Sequence, residues 1–502
     1  MVFALSAEGT APLYQQIREG IRNDIAARAL LPGSKLPSSR QLAADLHVSR
    51  ITVANAYAEL EADGLIESRA GSGTFVSPVW NIDARIDRRT PFTSPSWQQR
   101  MVSIPDPVRD RMLREASRPA EETGVIAFAC AHGDVRLFPM GELQKTMTEV
   151  LREDGAVALG YDSPHGYPPL RQFLATYLLQ HGMQVSADDV IITAGAQQGI
   201  DLIARALLQS GDAVAVESPT YAGVFECMES RAIRTVGIGL DAGGMDVAEL
   251  QRVLERDHPK LIYTVPTFHN PTGAVMTAAR RRELVTLAHR FDVPILEDDY
   301  MREVRFGSPI PPPIASFDQH GDVIYVGSFS KSLIPSLRLG YVVARGSLRD
   351  QLISLKGATD RCCSTLLQRV LWRLLERGTL FTYWKRASRI YRRRQSVMLG
   401  ALRTHFPLGS QWHAAEGGFG VWVGVPPRVS VTALFDQAIS AGVSIAVGAA
   451  FFPEPDDQPF MRLGFAAVEE QHIERGIAKL GRLIQVQLAQ HKGAGTSAPE
   501  PG

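Results

Sequence analysis

From Val125 onward, short runs of aliphatic and β-branched residues alternate with stretches of helical periodicity, and this alternation dictates the architecture of most of the chain. The runs are Val190-Ile-Ile-Thr193, Ala213-Val-Ala-Val216, Leu261-Ile-Tyr-Thr-Val265, Val293-Pro-Ile-Leu296 and Val323-Ile-Tyr-Val326. Apolar strands of this kind, joined through helices, describe a mainly parallel sheet covered on both faces. At 502 residues the chain exceeds what one hydrophobic core normally supports, so this α/β body is one of at least two domains. The stretch 79–120 is rich in proline, serine and arginine without sustained periodicity, which predicts a linker. The small polar residues 491–502 predict a disordered tail. The expected division is a module over 1–78, the linker, a body over 121–490 and the tail.

A hydrophobic share of 45% with 21% charged residues places the chain among ordinary globular proteins rather than disordered or membrane ones. No apolar run approaches the roughly 20 residues a bilayer-spanning helix needs. The N-terminus Met1-Val-Phe-Ala-Leu-Ser-Ala-Glu8 lacks the pattern of a secretory signal, so a cytoplasmic location without membrane contact is expected. Cys130, Cys227, Cys362 and Cys363 show neither metal-ligand spacing nor a disulfide framework, and no metal is expected. A formal net charge of zero argues against a generally basic nucleic-acid coat and leaves only local patches open.

Within the first module, Ile17, Ile21 and Ile25 line one face of a helix over Leu13 to Ala29, which Pro32-Gly33 ends. Ser38, three residues before Gln41, has capping-box spacing for a short second helix that buries Leu42 and Leu46. Ser49 caps a third helix in which Val53, Tyr57 and Leu60 face inward while Arg50, Thr52 and Asn55 point elsewhere. Leu65-Ile66-Glu67 and Thr74-Phe75-Val76 flank a glycine-serine turn and read as a hairpin. Three helices and a hairpin form a winged helix-turn-helix, whose third helix enters the DNA major groove. The same pattern is open to a helical protein-interaction module. Seven Lys/Arg against eight Asp/Glu over residues 1–78 mean that any DNA contact uses a few well-placed groups rather than a strong field.

The segments Pro12-Leu-Tyr14, Leu36-Pro-Ser-Ser-Arg-Gln-Leu-Ala43, Val48-Ser-Arg-Ile-Thr-Val53, Gly64-Leu-Ile66 and Gly71-Ser-Gly-Thr-Phe-Val76 resemble the GntR family of bacterial regulators across the whole module. The resemblance implies double-stranded operator DNA as a partner. It also implies that Ser38, Arg40, Ser49, Arg50 and Thr52, with the wing residues Gly71, Ser72, Gly73 and Thr74, contact it.

In the body, Lys331 follows the strand around Val323 to Val326, with Ser328 and Ser330 just before it and Arg338 a step beyond. A lone lysine is ordinarily a surface residue. Placed among small hydroxyl residues and an arginine at the mouth of a parallel sheet, it is a candidate nucleophile whose pKa burial among cations would depress. Glu297-Asp298-Asp299-Tyr300 is expected just past the strand Val293 to Leu296, and Asn270-Pro-Thr-Gly273 also ends a strand. Thr193-Ala-Gly-Ala-Gln-Gln-Gly199 lies between strand and helix, where exposed amides and the helix dipole favour an anion. Each stretch alone fits an ordinary cap or turn. Together they supply what pyridoxal phosphate (PLP) needs: an amine, a carboxylate for the pyridine nitrogen (Asp298), donors to the ring oxygen (Tyr300, Asn270) and a phosphate cup.

These segments, in this order, resemble the fold-type-I PLP enzymes of the aspartate aminotransferase superfamily over roughly residues 125–485. The resemblance implies a phosphate held by Gly195, Ala196, Gln197, Ser328, Ser330 and Arg338. It implies Tyr221 stacked on the ring, Asn270, Asp298 and Tyr300 around its polar atoms, and Lys331 as the Schiff-base lysine. Arg462 is implied to clamp an amino-acid carboxylate, and Tyr161 to reach the phosphate of a partner subunit, hence a homodimer.

The combined arrangement resembles the MocR-like subfamily of GntR regulators. It implies a regulator that senses an amino compound, or PLP itself, through an aldimine at Lys331. The alternative is a working aminotransferase that carries a DNA-binding head; His269-Asn270, where many MocR-like members have Gln-Phe, favours that alternative. The basic run Lys385-Arg-Ala-Ser-Arg-Ile-Tyr-Arg-Arg-Arg394 admits either a DNA contact or a solvated helix face.

Overall fold

In the computed structural model, the described residues are 12–26, 29–69, 72–77, 124–307, 309–454 and 457–494. The chain divides into two compact units, residues 1–102 and 103–502. The linker 79–120, Gly71 and the tail from 495 onward lie outside the described residues.

The first unit contains helices α1 (Leu13–Ala26), α2 (Ser39–Asp45) and α3 (Arg50–Ala62), then an antiparallel hairpin of β1 (Ile66–Arg69) and β2 (Gly73–Val76). Ile17 and Ile21 from α1, Leu42 from α2, Val53 and Leu60 from α3 and Val76 from β2 are buried together in one small core. The Ser49 hydroxyl accepts from the Thr52 amide at 3.1 Å, and the Ser38 hydroxyl accepts from the Gln41 amide at 3.2 Å. Only half of the capping box expected at Ser38 forms, because the Gln41 amide nitrogen donates to Asp45 at 2.9 Å instead of turning back.

The second unit opens with β3 (Ile126–Ala127), α4 (Met140–Glu153) and α5 (Pro168–Leu179). Its main sheet then grows through β4 (Val190–Thr193), α6 (Ala196–Leu207), β5 (Ala213–Ser218), α7 (Ala222–Glu229), β6 (Arg234–Asp241), β7 (Gly244–Met245), α8 (Val247–Asp257), β8 (Leu261–Thr264), α9 (Ala278–Phe291), β9 (Ile295–Asp299), β10 (Val323–Ser328) and β11 (Gly340–Val343). The strand order is β4-β11-β10-β9-β8-β5-β6-β7, parallel except for β11 and β7. Alternation along the strands explains the double covering. Val214 and Val216 pack with Ile200 and Ile203 of α6 on one face, whereas Ala215 packs with Leu250 of α8 and Leu284 of α9 on the other.

After α10 (Gly346–Asp360) and α11 (Thr365–Glu376), the long helix α12 (Thr379–His405) leads to a smaller antiparallel sheet. That sheet joins β12 (Gln411–Trp412), β13 (Gly420–Gly424), β16 (Phe460–Gly464) and β15 (Ala446–Val447) in this order. Between them lie α13 (Val431–Ser440) and β14 (Val443–Ser444), which pairs in parallel with β3, and α14 (Glu470–Ala494) closes the chain against α12. The helix α14 thus runs past the domain edge expected at residue 490.

One expectation is corrected in a way that matters for the site. Strand β9 starts at Ile295 and includes Glu297, Asp298 and Asp299, which were expected beyond a strand ending at Leu296. All three carboxylates are buried inside the sheet because each has donors. The Ile314 and Ala315 amides donate to Glu297 at 2.8 and 2.9 Å, Tyr263 donates to Asp298 at 2.8 Å, and the Tyr325 hydroxyl donates to Asp299 at 3.1 Å beside an ion pair with Arg302.

The small core of the first unit makes it sensitive to single deletions. Ile21→Ala removes a fully buried side chain and is expected to destabilise the module by about 2–5 kcal/mol, read as a lower melting temperature of the first unit.

Candidate functional site

The C-terminal ends of β4, β5, β8, β9 and β10 converge on one edge of the main sheet, the position at which open α/β sheets bind ligands. Three residues past β10, Lys331 is held with its amine free of any hydrogen bond to the described residues. Burial, reinforced by the nearby charges of Arg462 and Arg338, pushes its pKa down to about 8. Neutral amine is therefore a substantial fraction near physiological pH.

Asp298 lies opposite Val326 in the parallel β9–β10 ladder. One carboxylate oxygen accepts from Tyr263, and the other is buried without a partner. Burial, followed by the neighbouring carboxylates of Asp299, Glu217 and Glu297, pushes its pKa up to about 7, while the Tyr263 hydrogen bond works in the opposite direction. A cationic N–H donor at the free oxygen would restore the charged form.

Gly195 caps α6 with φ +83, a conformation that glycine adopts without strain. A Cβ there would lie 3.3 Å from the Arg338 guanidinium, so this guanidinium and the first amides of α6 share one small cup. The Ser328 hydroxyl accepts from the Ser330 amide at 3.3 Å, and the buried Ser330 hydroxyl has no partner. Gln197 accepts from the Tyr221 hydroxyl at 3.1 Å and donates to the Gly223 carbonyl at 2.7 Å, which fixes Tyr221 at the start of α7. Tyr300 donates to the Phe268 carbonyl at 3.3 Å.

Arg462, on β16 of the smaller sheet, donates to Asn270 at 2.8 Å and to the Ala129 carbonyl at 2.9 Å, and its Nε is buried without a partner. Its guanidinium lies 5.0 Å from the centroid of the Phe451 ring. The unpartnered Asp298 oxygen, Ser330 hydroxyl and Arg462 Nε accompany a free amine and a cationic cup at this end of the body. This donor and acceptor set fits PLP. Tyr161 is not brought into this cluster; it stands 92% exposed.

Two residues not anticipated from the sequence complete the site. Tyr263 orients Asp298. Glu217, the last but one residue of β5, accepts from the Thr264 hydroxyl at 2.7 Å and the Val265 amide at 2.8 Å, and it approaches His269 Nε2 at 3.2 Å. The charge at the end of an apolar run was a readable signal for Glu217, as it was for Glu297, whereas nothing in Leu261-Ile-Tyr-Thr264 marks Tyr263.

On the first unit, Ser38, Arg40, Ser49 and Arg50 are exposed around the N-termini of α2 and α3, and Thr52 is half-buried. Neither Arg40 nor Arg50 forms an ion pair among the described residues. In the wing, Ser72 and Gly73 are exposed and Thr74 is half-buried, and Arg69 lies 4.9 Å over the Phe75 ring. Among the described residues no helix is long and apolar enough to cross a membrane, and no cluster of three or more His, Cys, Asp or Glu is placed to hold a metal ion.

Head and body together define a class of protein: a GntR-type helix-turn-helix carried by a PLP-dependent aminotransferase fold. Residues 131–480 match the family of class I and II aminotransferases, and residues 13–76 match the gntR family of bacterial regulatory proteins. An uncharacterized HTH-type transcriptional regulator of Bacillus subtilis, YdfD, is 33% identical over 94% of this chain and 96% of its own length. The probable rhizopine catabolism regulatory protein MocR of Rhizobium meliloti is 30% identical over 95% of each chain. The body superposes on the multiple substrate aminotransferase of Thermococcus profundus with a TM-score of 0.73 at 32% identity, covering 79% of this chain and 100% of that one. It also superposes on LysN of Thermus thermophilus, complexed with N-(5'-phosphopyridoxyl)-L-leucine, with a TM-score of 0.71 at 30% identity over 79% and 100% of the two chains. The chain belongs to the MocR-like subfamily of GntR transcriptional regulators, and PLP is the cofactor of its body.

Two outcomes follow from this geometry. Asp298→Asn removes the charge that would face the pyridine nitrogen and is expected to weaken PLP binding at least tenfold, about 1.4 kcal/mol, in equilibrium titration, with the circular dichroism spectrum unchanged. Because protonation removes the nucleophile, PLP uptake by the apoprotein is expected to slow about tenfold per pH unit below the Lys331 value of about 8, as followed by absorbance. A profile flat through that value would contradict it.

Proposed function

We propose that this protein is an operator-binding homodimer whose body reads a small amino compound at Lys331. The observation that carries this reading is the pairing, in one chain, of a cationic recognition-helix N-terminus with a half-buried, hydrogen-bond-free lysine at the sheet edge that also carries a carboxylate with an unpartnered oxygen. When bound, PLP supplies an aldehyde that bonds reversibly to primary amines and a ring that stores negative charge.

The residues divide the remaining work. Arg338, Ser328, Ser330 and the amides of Gly195, Ala196 and Gln197 hold the phosphate. Asp298, oriented by Tyr263, keeps a proton on the ring nitrogen. Tyr221 covers the ring, and Asn270 and Tyr300 address its oxygen. Arg462 binds the carboxylate of an amino-acid effector through its guanidinium, a bidentate geometry that a lysine would not reproduce. Tyr161, exposed on its own protomer, completes the phosphate cup of the second subunit. On DNA, Arg40, Arg50 and the hydroxyls of Ser38, Ser49 and Thr52 contact phosphates and base edges from the ends of α2 and α3, with Ser72, Gly73 and Thr74 along the backbone. Gly71 belongs to the same wing turn in the sequence and lies outside the described residues.

Asn270 beside Arg462 also supports a second reading, an active aminotransferase with a DNA-binding head. The two separate on a duplex selected by the protein from a random-sequence library and monitored by fluorescence anisotropy. Arg50→Ala is expected to weaken binding about tenfold or more under all conditions. Lys331→Ala is expected to bind the duplex but to lose the response to a panel of amino acids and amines that the native protein shows. Sustained conversion of an amino acid to its keto acid by a protein that selects no duplex would replace the regulator by the enzyme.

A further inference from the structure

A second concavity lies in the body, an open groove of about 1090 Å³ bounded by the end of α5, the loop after β9 and the first turns of α12. It shares no lining residue with the PLP cup. Lys385, Arg389 and Arg392 line one wall at helical spacing, and Arg305 projects from the loop. All four are exposed, and none forms an ion pair or a side-chain hydrogen bond among the described residues. This is not general for α12, because Arg393 pairs with Glu470 at 2.9 Å and Arg394 with Asp134 at 2.9 Å.

The other charged groups of the groove are occupied. Arg302 is bound by Asp299 and by the Pro311 carbonyl, and Glu303 accepts from the Tyr177 hydroxyl at 2.9 Å. Burial pushes the Glu303 carboxyl up to about 7, which reduces the charge it sets against the four cations. Phe306, Ile310, Phe381 and Trp384 give the groove an apolar wall, beside the polar Gln180, His181 and Ser388. Trp384 is fixed by donation to the Ser332 carbonyl at 2.9 Å, which makes the wall rigid.

We propose that this groove is a second ligand site that takes a small phosphorylated compound. Four like charges brought together without counter-charges repel one another, and a polyanion relieves that repulsion while matching guanidinium forks to phosphate oxygens. The volume lies just above the roughly 300–1,000 Å³ usual for small-molecule pockets, and the apolar wall gives the organic part of a phosphate ester a surface. A concave site with an apolar wall favours such a ligand over the sugar-phosphate backbone of DNA, which tracks across open basic surface.

Calorimetric titration of the full-length, PLP-loaded protein with inorganic tripolyphosphate tests the site, with absorbance recorded to show that the cofactor stays in place. Saturable binding is expected, weakened at least tenfold in Arg389→Ala/Arg392→Ala and largely restored in Arg389→Lys/Arg392→Lys, at unchanged melting temperature. Binding that is undetectable, equally strong in the alanine variant, or accompanied by loss of the cofactor band would overturn the proposal. So would competition showing that non-operator duplex DNA occupies the groove in preference to tripolyphosphate and a nucleoside triphosphate.

Discussion

The parallel pairing of β9 with β10 is the contact on which the functional body depends. Its register sets Asp298 opposite Val326 and Asp299 opposite Gly327, so the carboxylate and the loop that bears Lys331 leave the sheet at the same edge. A slip of one residue would turn Asp298 to the other face of the sheet, because side chains alternate along a strand. The register is held from both sides. Glu297 takes two amides from the 314–315 turn, and Asp299 engages Arg302 and Tyr325 through one oxygen, so the acids on either side of Asp298 are anchored while Asp298 is held only by Tyr263 and keeps one oxygen unpartnered.

The same logic of committed and uncommitted groups runs through the site. Most buried polar atoms in a folded protein are paired, and those that are not mark places where a ligand completes the network. Asp298 on β9, Ser330 in the loop after β10 and Arg462 on β16 each retain an unpartnered atom. Burial lowers the Lys331 pKa, and the nearby charges of Arg462 and Arg338 lower it further. Effector binding and DNA binding are linked only if the effector distinguishes two states of the protein, and a useful linkage is worth about 1–3 kcal/mol.

Much of this was legible in the residues. Five apolar runs located five strands of the main sheet, and isoleucine spacing together with two serine caps located the three helices of the head. The strand β11 escaped notice although Gly340-Tyr-Val-Val343 is as apolar as the others, and β6 is diluted by Gly237 and Gly239. The apolar run ends at Leu296, which places the acids 297–299 past the strand, and only the long-range donors supplied by Tyr263, Tyr325, Arg302 and the 314–315 amides make their burial within β9 tolerable. Those partners are distant in sequence, which is why Tyr263 carries no local signal of its role. The basic run on α12 likewise splits by tertiary context, with Arg393 and Arg394 paired and Lys385, Arg389 and Arg392 left facing a groove.

The central claim is that Lys331 holds PLP in a site that an amino compound can enter. The most direct measurement is the near-ultraviolet and visible absorbance spectrum of the purified protein beside Lys331→Ala, followed through titration with amino acids and amines. A visible band that the variant lacks, shifted by one compound without accumulation of a keto acid, is the predicted result. Absence of the band after addition of PLP to the native protein would contradict the account.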